Sequence, residues 1–146
     1  MQQISLIFLK KNDPLGCLIK FVTKGQYSHV ALLFHENLIA DTDMIRKYDI
    51  RSFPWQTGEY DRINLCVTNS QYVRLIDYIN SHIGAKYSLW ENFRWILKYG
   101  KDDTSKLNCV EALVDALNSA GIVKLNESIS YSPDELWHLF MTNKKT

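Results

Sequence analysis

The hydrophobic period of this chain changes at Thr68, and that change restricts the fold more than any other feature. Before it, apolar residues fall in short β-rich runs: "QISLIFL" (residues 3–9), "YSHVALLF" (27–34), "NLIADTD" (37–43) and "YDRINLCV" (60–67). After it, Tyr72, Leu75, Ile76, Ile79 and Ile83 recur at three- and four-residue spacing, so they share one face of a helix that Gly84 would stop. His35 and Glu36 separate two of the runs and predict a hairpin. The expected fold class is therefore α+β, an antiparallel sheet packed against helices.

Four further helices are legible. "PLGCLIKFVTKG" places Leu15, Leu18, Ile19 and Val22 at helical spacing and ends at Gly25, and "SLWENFRWILKYG" aligns Leu89, Phe93, Ile96 and Leu97. In "LNCVEALVDALNSAG", Asn108 is a good N-cap, Gly121 a good stop, and Val110, Leu113, Val114 and Leu117 form the apolar stripe. The last helix opens at "SPDELW", with Ser132 as cap, Pro133 at the first helical position and Glu135 completing a capping box.

Length and composition limit what these elements can be. With 146 residues, 46% hydrophobic, the chain suits one self-supporting domain spanning 1–146. Seventeen lysines and arginines against sixteen aspartates and glutamates leave no basic field, so nucleic acid is not an expected partner. The opening run carries its lysines after the apolar residues, unlike a secretory signal, and no apolar stretch reaches the length of a membrane span. A cytoplasmic protein with reduced cysteines is expected. None of Cys17, Cys66 and Cys109 has metal-ligand spacing, and neither a metal nor a cofactor is expected.

Cys109 is the chemically interesting thiol. It opens a helix, where unsatisfied backbone N–H groups and the positive end of the dipole favour an anion. The competing reading is a small buried hydrophobe, since Cys109, Ala112 and Ala116 form a row that lets the helix approach a sheet closely. Cys17 and Cys66 read as core fillers. A nucleophilic thiol needs an imidazole and a group to orient it. Among the four histidines, His35, His82 and His138 fall at a turn or on polar helix flanks, whereas His29 lies in a strand on the face of Tyr27, Ala31 and Leu33. If Phe34 pairs with Leu38, Asp43 falls opposite His29 and Asp41 diagonal to it.

A histidine-bearing strand early and an Asn-Cys helix late resemble the circularly permuted, papain-like branch of the NlpC/P60 superfamily, which includes lecithin:retinol acyltransferase-like proteins. Ser28-His29 matches its serine-histidine strand start, Asn108-Cys109 its nucleophile helix, "IGAKYSLW" its Gly-x-x-Tyr segment and "YSPDELW" its closing Ser/Thr-Pro-Asp-x-Leu stretch. The third polar residue, twelve positions after the histidine, falls on Asp41, where the family more often has histidine or glutamate; Asp43 is the fallback. The resemblance implies a cysteine hydrolase with Cys109 as nucleophile, His29 as base and Asp41 as orienting residue. It also implies Tyr27 and Tyr87 lining the cleft, and a peptide, peptidoglycan-like or lipid acyl substrate. Acyl transfer, or a silent domain binding a peptide or lipid in the same cleft, are the alternatives on the same fold.

Overall fold

The computed structural model describes residues 1–10, 25–42, 47–53, 59–84, 108–126 and 131–144. Among these residues the protein is mixed α+β, with a five-stranded antiparallel sheet and three helices. The strands are β1 (Gln2–Leu9), β2 (His29–His35), β3 (Leu38–Asp41), β4 (Asp49–Ser52) and β5 (Tyr60–Val67), and their order across the sheet is β4-β3-β2-β1-β5. The helices are α1 (Asn69–His82), α2 (Asn108–Ser119) and α3 (Pro133–Lys144). The helical segments expected at 14–25 and 88–100 lie outside the described residues, apart from Gly25.

β1 is the sheet's central rail, paired with β2 on one side and β5 on the other. Its run from Ile4 to Leu9 is buried on both faces, which is why the sequence is apolar there instead of alternating, apart from Ser5, whose hydroxyl is bonded to Asn64 and Arg62. Ile4, Leu6 and Phe8 join Val30, Leu32, Phe34, Ala40, Ile63 and Val67 in the main core, which also takes in the buried side chains of the three helices. Ile7 and Leu9 point the other way and meet Ala31, Leu33, Ile39 and Phe53 in a second buried cluster.

α2 packs over β2 and β3, and α1 packs beside α2. Val110, Leu113, Val114 and Leu117 are buried as their spacing requires, and Ala112 and Ala116 are buried with them. The helix ends in a Schellman motif: Gly121 N–H donates to Asn118 O at 3.0 Å and Ile122 N–H to Leu117 O at 3.0 Å, with Gly121 at φ +72°. At the other end the helix starts on Asn108, one residue earlier than the cap assignment, so Cys109 is its second residue. α1 is capped as a box, in which Thr68 Oγ1 accepts from Gln71 N–H and Thr68 N–H donates to Gln71 Oε1.

Three expectations need correction. β4, "DIRS", carries no apolar run and is not among the strands that the hydrophobic pattern predicts; it is a strand because it pairs with β3 at the sheet's edge. Cys66 is exposed, not core: on β5 the residues Ile63 and Val67 turn inward while Arg62, Asn64 and Cys66 face out. Ile83 lies just past α1 as its C-cap and is exposed, because the chain has already left the helix before Gly84. No helix among the described residues is long and apolar enough to cross a membrane.

Replacing Gly121 with alanine forces a Cβ into the left-handed region beside the Arg74 guanidinium, 3.3 Å away. Urea unfolding of Gly121→Ala is expected to show a loss of about 1 to 2 kcal/mol with an unchanged denaturant slope.

Candidate active site

His29 is the first residue of β2 and Asp41 the last of β3. The two strands run antiparallel, so both residues stand at the same end of the sheet. The ladder pairs Leu32 with Ala40 and Leu33 with Ile39, which sets Asp41 diagonal to His29, as expected. The turn differs from the expected one: His35, not Phe34, pairs with Leu38. An irregularity there, with Glu36 at φ 26°, absorbs the extra residue and leaves the rest of the register intact.

The imidazole and the carboxylate are in direct contact. His29 Nε2 lies 2.7 Å from Asp41 Oδ2, with the two side chains 3% and 0% exposed. A carboxylate can only accept, so Nε2 carries the proton and donates it, and Nδ1 is the nitrogen left over. The Cys109 side chain stands near enough to the imidazole to favour its charged form. Cys109 comes from the first turn of α2, where the backbone N–H groups have no intrahelical partners. The nucleophile candidate, the base candidate and the orienting carboxylate are thus brought together from a helix start, a strand start and a strand end.

A fourth residue completes the group. Arg51 of β4 grips Asp41 with a fork, its Nε donating to Oδ1 at 3.1 Å and its Nη2 to Oδ2 at 2.9 Å. The sequence reading did not single out Arg51, and the reason is β4 itself: only when "DIRS" is laid against β3, with Arg51 opposite Ile39, does the guanidinium fall next to Asp41. Extending the sheet by one strand past "NLIADTD" was the signal that would have found it.

The charges follow from these contacts. Burial works against a charged His29 more than any single partner works for it, yet the hydrogen bond to Asp41, the nearby Cys109 side chain and the accompanying charges prevail and raise its pKa to about 9. Asp41 is opposed by burial in the same way, and the imidazole and the Arg51 guanidinium hold its carboxyl well below the usual carboxylate range. Asp41 is therefore an anion throughout the neutral range, and His29 is a cation there.

The remaining site candidates divide. Tyr27 is buried. Its ring lies between Phe8 and Trp137, on the helix side of the sheet, and its hydroxyl donates to Asp61. It belongs to that side because β2 begins only at His29, so the strand alternation does not extend back to it. Burial and the hydrogen bond to Asp61 raise its pKa far above the ordinary value, leaving it a neutral donor. Tyr87 and Asp43 lie outside the described residues, as does Cys17. His35 stands exposed at the turn, and His82 closes α1, stacked on Tyr78. Among the described residues, no group of three or more histidine, cysteine, aspartate or glutamate side chains is arranged to hold a metal ion.

In comparisons with known proteins, no family model and no curated protein matches the chain. The functional reading accordingly rests on the sequence motifs and on this geometry.

Two outcomes follow from the charge pattern. His29 titrates at about 9 when folded against an ordinary 6.5, so its contribution to stability is complete below pH 6.5 and is lost as the pH rises through 9. Asp41 has the opposite sign: its contribution is present above its ordinary 3.8 and disappears on acidification below it. Urea midpoints measured across pH should fall at both ends. Histidine-selective NMR should find the His29 transition at about 9, and Asp41→Asn, which removes the paired anion, should move that transition downward.

Proposed function

We propose that this protein is a cysteine-dependent hydrolase of the amidase or peptidase type, working through an acyl-enzyme on Cys109, on a circularly permuted papain-like fold of the NlpC/P60 kind. The observation that carries the reading is the buried His29–Asp41 pair, with the buried Cys109 thiol beside it in the first turn of α2. A thiol buried for packing alone has no need of a charged imidazole, and an imidazole buried for packing alone has no need of both a thiol and a carboxylate. The order in sequence, histidine before cysteine, is that of the permuted branch.

The chemistry proceeds in two halves. The Cys109 sulfur, paired with the protonated His29, attacks the carbonyl carbon of the substrate, and the carbonyl electron pair moves onto its oxygen. The Cys109 backbone N–H, free of an intrahelical partner, supplies one donor to that oxyanion. The tetrahedral species collapses, His29 hands its proton to the departing amine, and a thioester remains. His29, now neutral, takes a proton from water as the water attacks the thioester. The acid product leaves and the thiolate–imidazolium pair is restored. Asp41 stays ionised throughout, keeping Nε2 protonated so that Nδ1 faces the chemistry, and Arg51 keeps Asp41 ionised.

Support for the substrate class comes from the resemblance alone, which spans peptides, peptidoglycan-like peptides and lipid acyl groups. Capture of the thioester by an amine or alcohol in place of water would make the same site an acyltransferase.

Labelling with iodoacetamide, read residue by residue by mass spectrometry, tests the reading. Cys66 is an exposed thiol on the same molecule and serves as an internal reference. At mildly acidic pH, Cys109 should react on the order of tenfold faster than Cys66 despite its burial, because only the thiolate is nucleophilic. His29→Ala should abolish that advantage. Equal rates at the two thiols in the unaltered protein would overturn the mechanism. With peptide, peptidoglycan-fragment and lipid-ester substrates offered in turn, an acyl mass on Cys109 identifies the class.

A further inference from the structure

His29 must be held to within a fraction of an ångström if its two nitrogens are to serve Asp41 and Cys109 at once, and it stands at the very start of a strand, where the ladder holds only one side of it. Ser28 N–H donates to Leu9 O at 2.9 Å, which ties the strand start to β1. The approach from Gly25 to Tyr27 has to be held by something else.

That something is a carboxylate from the far end of the chain. Asp134, in the first turn of α3, accepts from Gln26 N–H at Oδ2 and from Tyr27 N–H at Oδ1, each at 2.9 Å. One side chain thus receives two consecutive backbone donors that would otherwise have no strand partner. Gly25 lies so close to the carboxylate that a Cβ on it would collide with Asp134 Oδ1 and Cγ. Asp134 is itself aimed by its helix: Ser132 Oγ accepts from Glu135 N–H at 3.1 Å, and Pro133 begins the first turn. Behind this clamp, the Trp137 ring of the next turn packs on Tyr27 and Phe8, with ring centroids 5.4 and 5.2 Å away. The negative charge also sits favourably at the positive end of α3.

We infer that Asp134 is a positioning residue for His29, acting through the backbone of Gln26 and Tyr27. It touches neither the thiol nor the imidazole. It sets where the chain enters β2, and thereby the angle at which the imidazole meets Cys109 on one side and Asp41 on the other. A cap serving only α3 would need no contact with residues 26 and 27. A clamp serving only the fold would leave the pairing of His29 with Cys109 untouched when weakened. The inference rests on the function proposed for Cys109 and His29.

Asp134→Asn keeps the shape of the side chain and replaces one accepting oxygen with a donating amide, so one of the two clamp bonds becomes donor against donor. Gly25→Ala leaves the carboxylate in place and pushes it off its seat. For each variant, the alkylation rates of Cys109 and Cys66 are followed as a function of pH, with urea unfolding alongside. The expected result is a fall of about tenfold in the Cys109 rate at neutral pH, with its acid limb displaced upward toward that of Cys66 and the Cys66 rate unchanged. A loss of stability alone would not move the pH limb of a folded population, so that displacement is the diagnostic reading. If either variant remains folded and its Cys109 profile superimposes on that of the unaltered protein, the inference is overturned. Failure of the unaltered protein to show any Cys109 advantage over Cys66 would instead overturn the function on which the inference rests. Should Asp134→Asn not fold, Gly25→Ala decides.

Discussion

The contact between His29 and Asp41 is the one on which the rest of the candidate site depends. Two charged groups are taken almost wholly out of water, a step that costs several kcal/mol per ion unless every partner is in place. Here the partners are in place on both flanks. The Arg51 fork stabilises the carboxylate from the sheet's edge, and the Cys109 side chain, in the first turn of α2, favours the charged imidazole. Asp41 is the shared partner of both cations, so removing it would leave the buried imidazolium without its carboxylate and Arg51 without its fork. Nothing about the hydrophobic core requires such an arrangement, and a core built for stability alone would fill the space with aliphatic side chains.

His29, Asp41 and Cys109 each arrive at the end of an element, and this is where the fold and the site meet. β2 begins at His29, β3 ends at Asp41, and α2 begins beside Cys109. The interior of each element is committed to the core: Val30 and Leu32 of β2, Ala40 of β3, and the Val110 to Leu117 stripe of α2 are all buried in the same cluster. Apolar packing brings the elements to a common distance. The residues at their ends are then free to be polar, because the end of a sheet and the first turn of a helix are where backbone donors and acceptors remain unclaimed. Ala112 and Ala116, buried on α2, are small enough for the helix to sit close to the strands that carry the other two groups.

Much of this was legible in advance where a residue's local pattern and its burial agree. The hairpin around Glu36, the Ser132 cap and the glycine stop at Gly121 are local chemistry, and they stand where the sequence puts them. Elements without a local signature were harder to see. β4 is a strand because β3 offers it an edge, and Arg51 is a site residue because β4 is a strand. Counting alternate positions back from Ala31 puts Tyr27 on the face of His29, but alternation holds only inside a strand, and the strand starts two residues later. Cys66 shows the converse: a thiol in an apolar-looking run is exposed because its edge strand turns that side to solvent.

The sequence by itself determined the class of the fold and the start and end of most elements, and it offered one thiol, one imidazole and two carboxylates, Asp41 and Asp43, between which only the family resemblance chose. The elements follow from periodicity and capping, which operate over a few neighbours along the chain. Tertiary structure alone decided that Arg51 would complete the charge balance around Asp41 and that Asp134, more than a hundred residues away in sequence, would hold the entry to His29. Both are contacts between distant segments, and which distant segments meet is set by the packing of the sheet and helices as a whole, which no local pattern encodes.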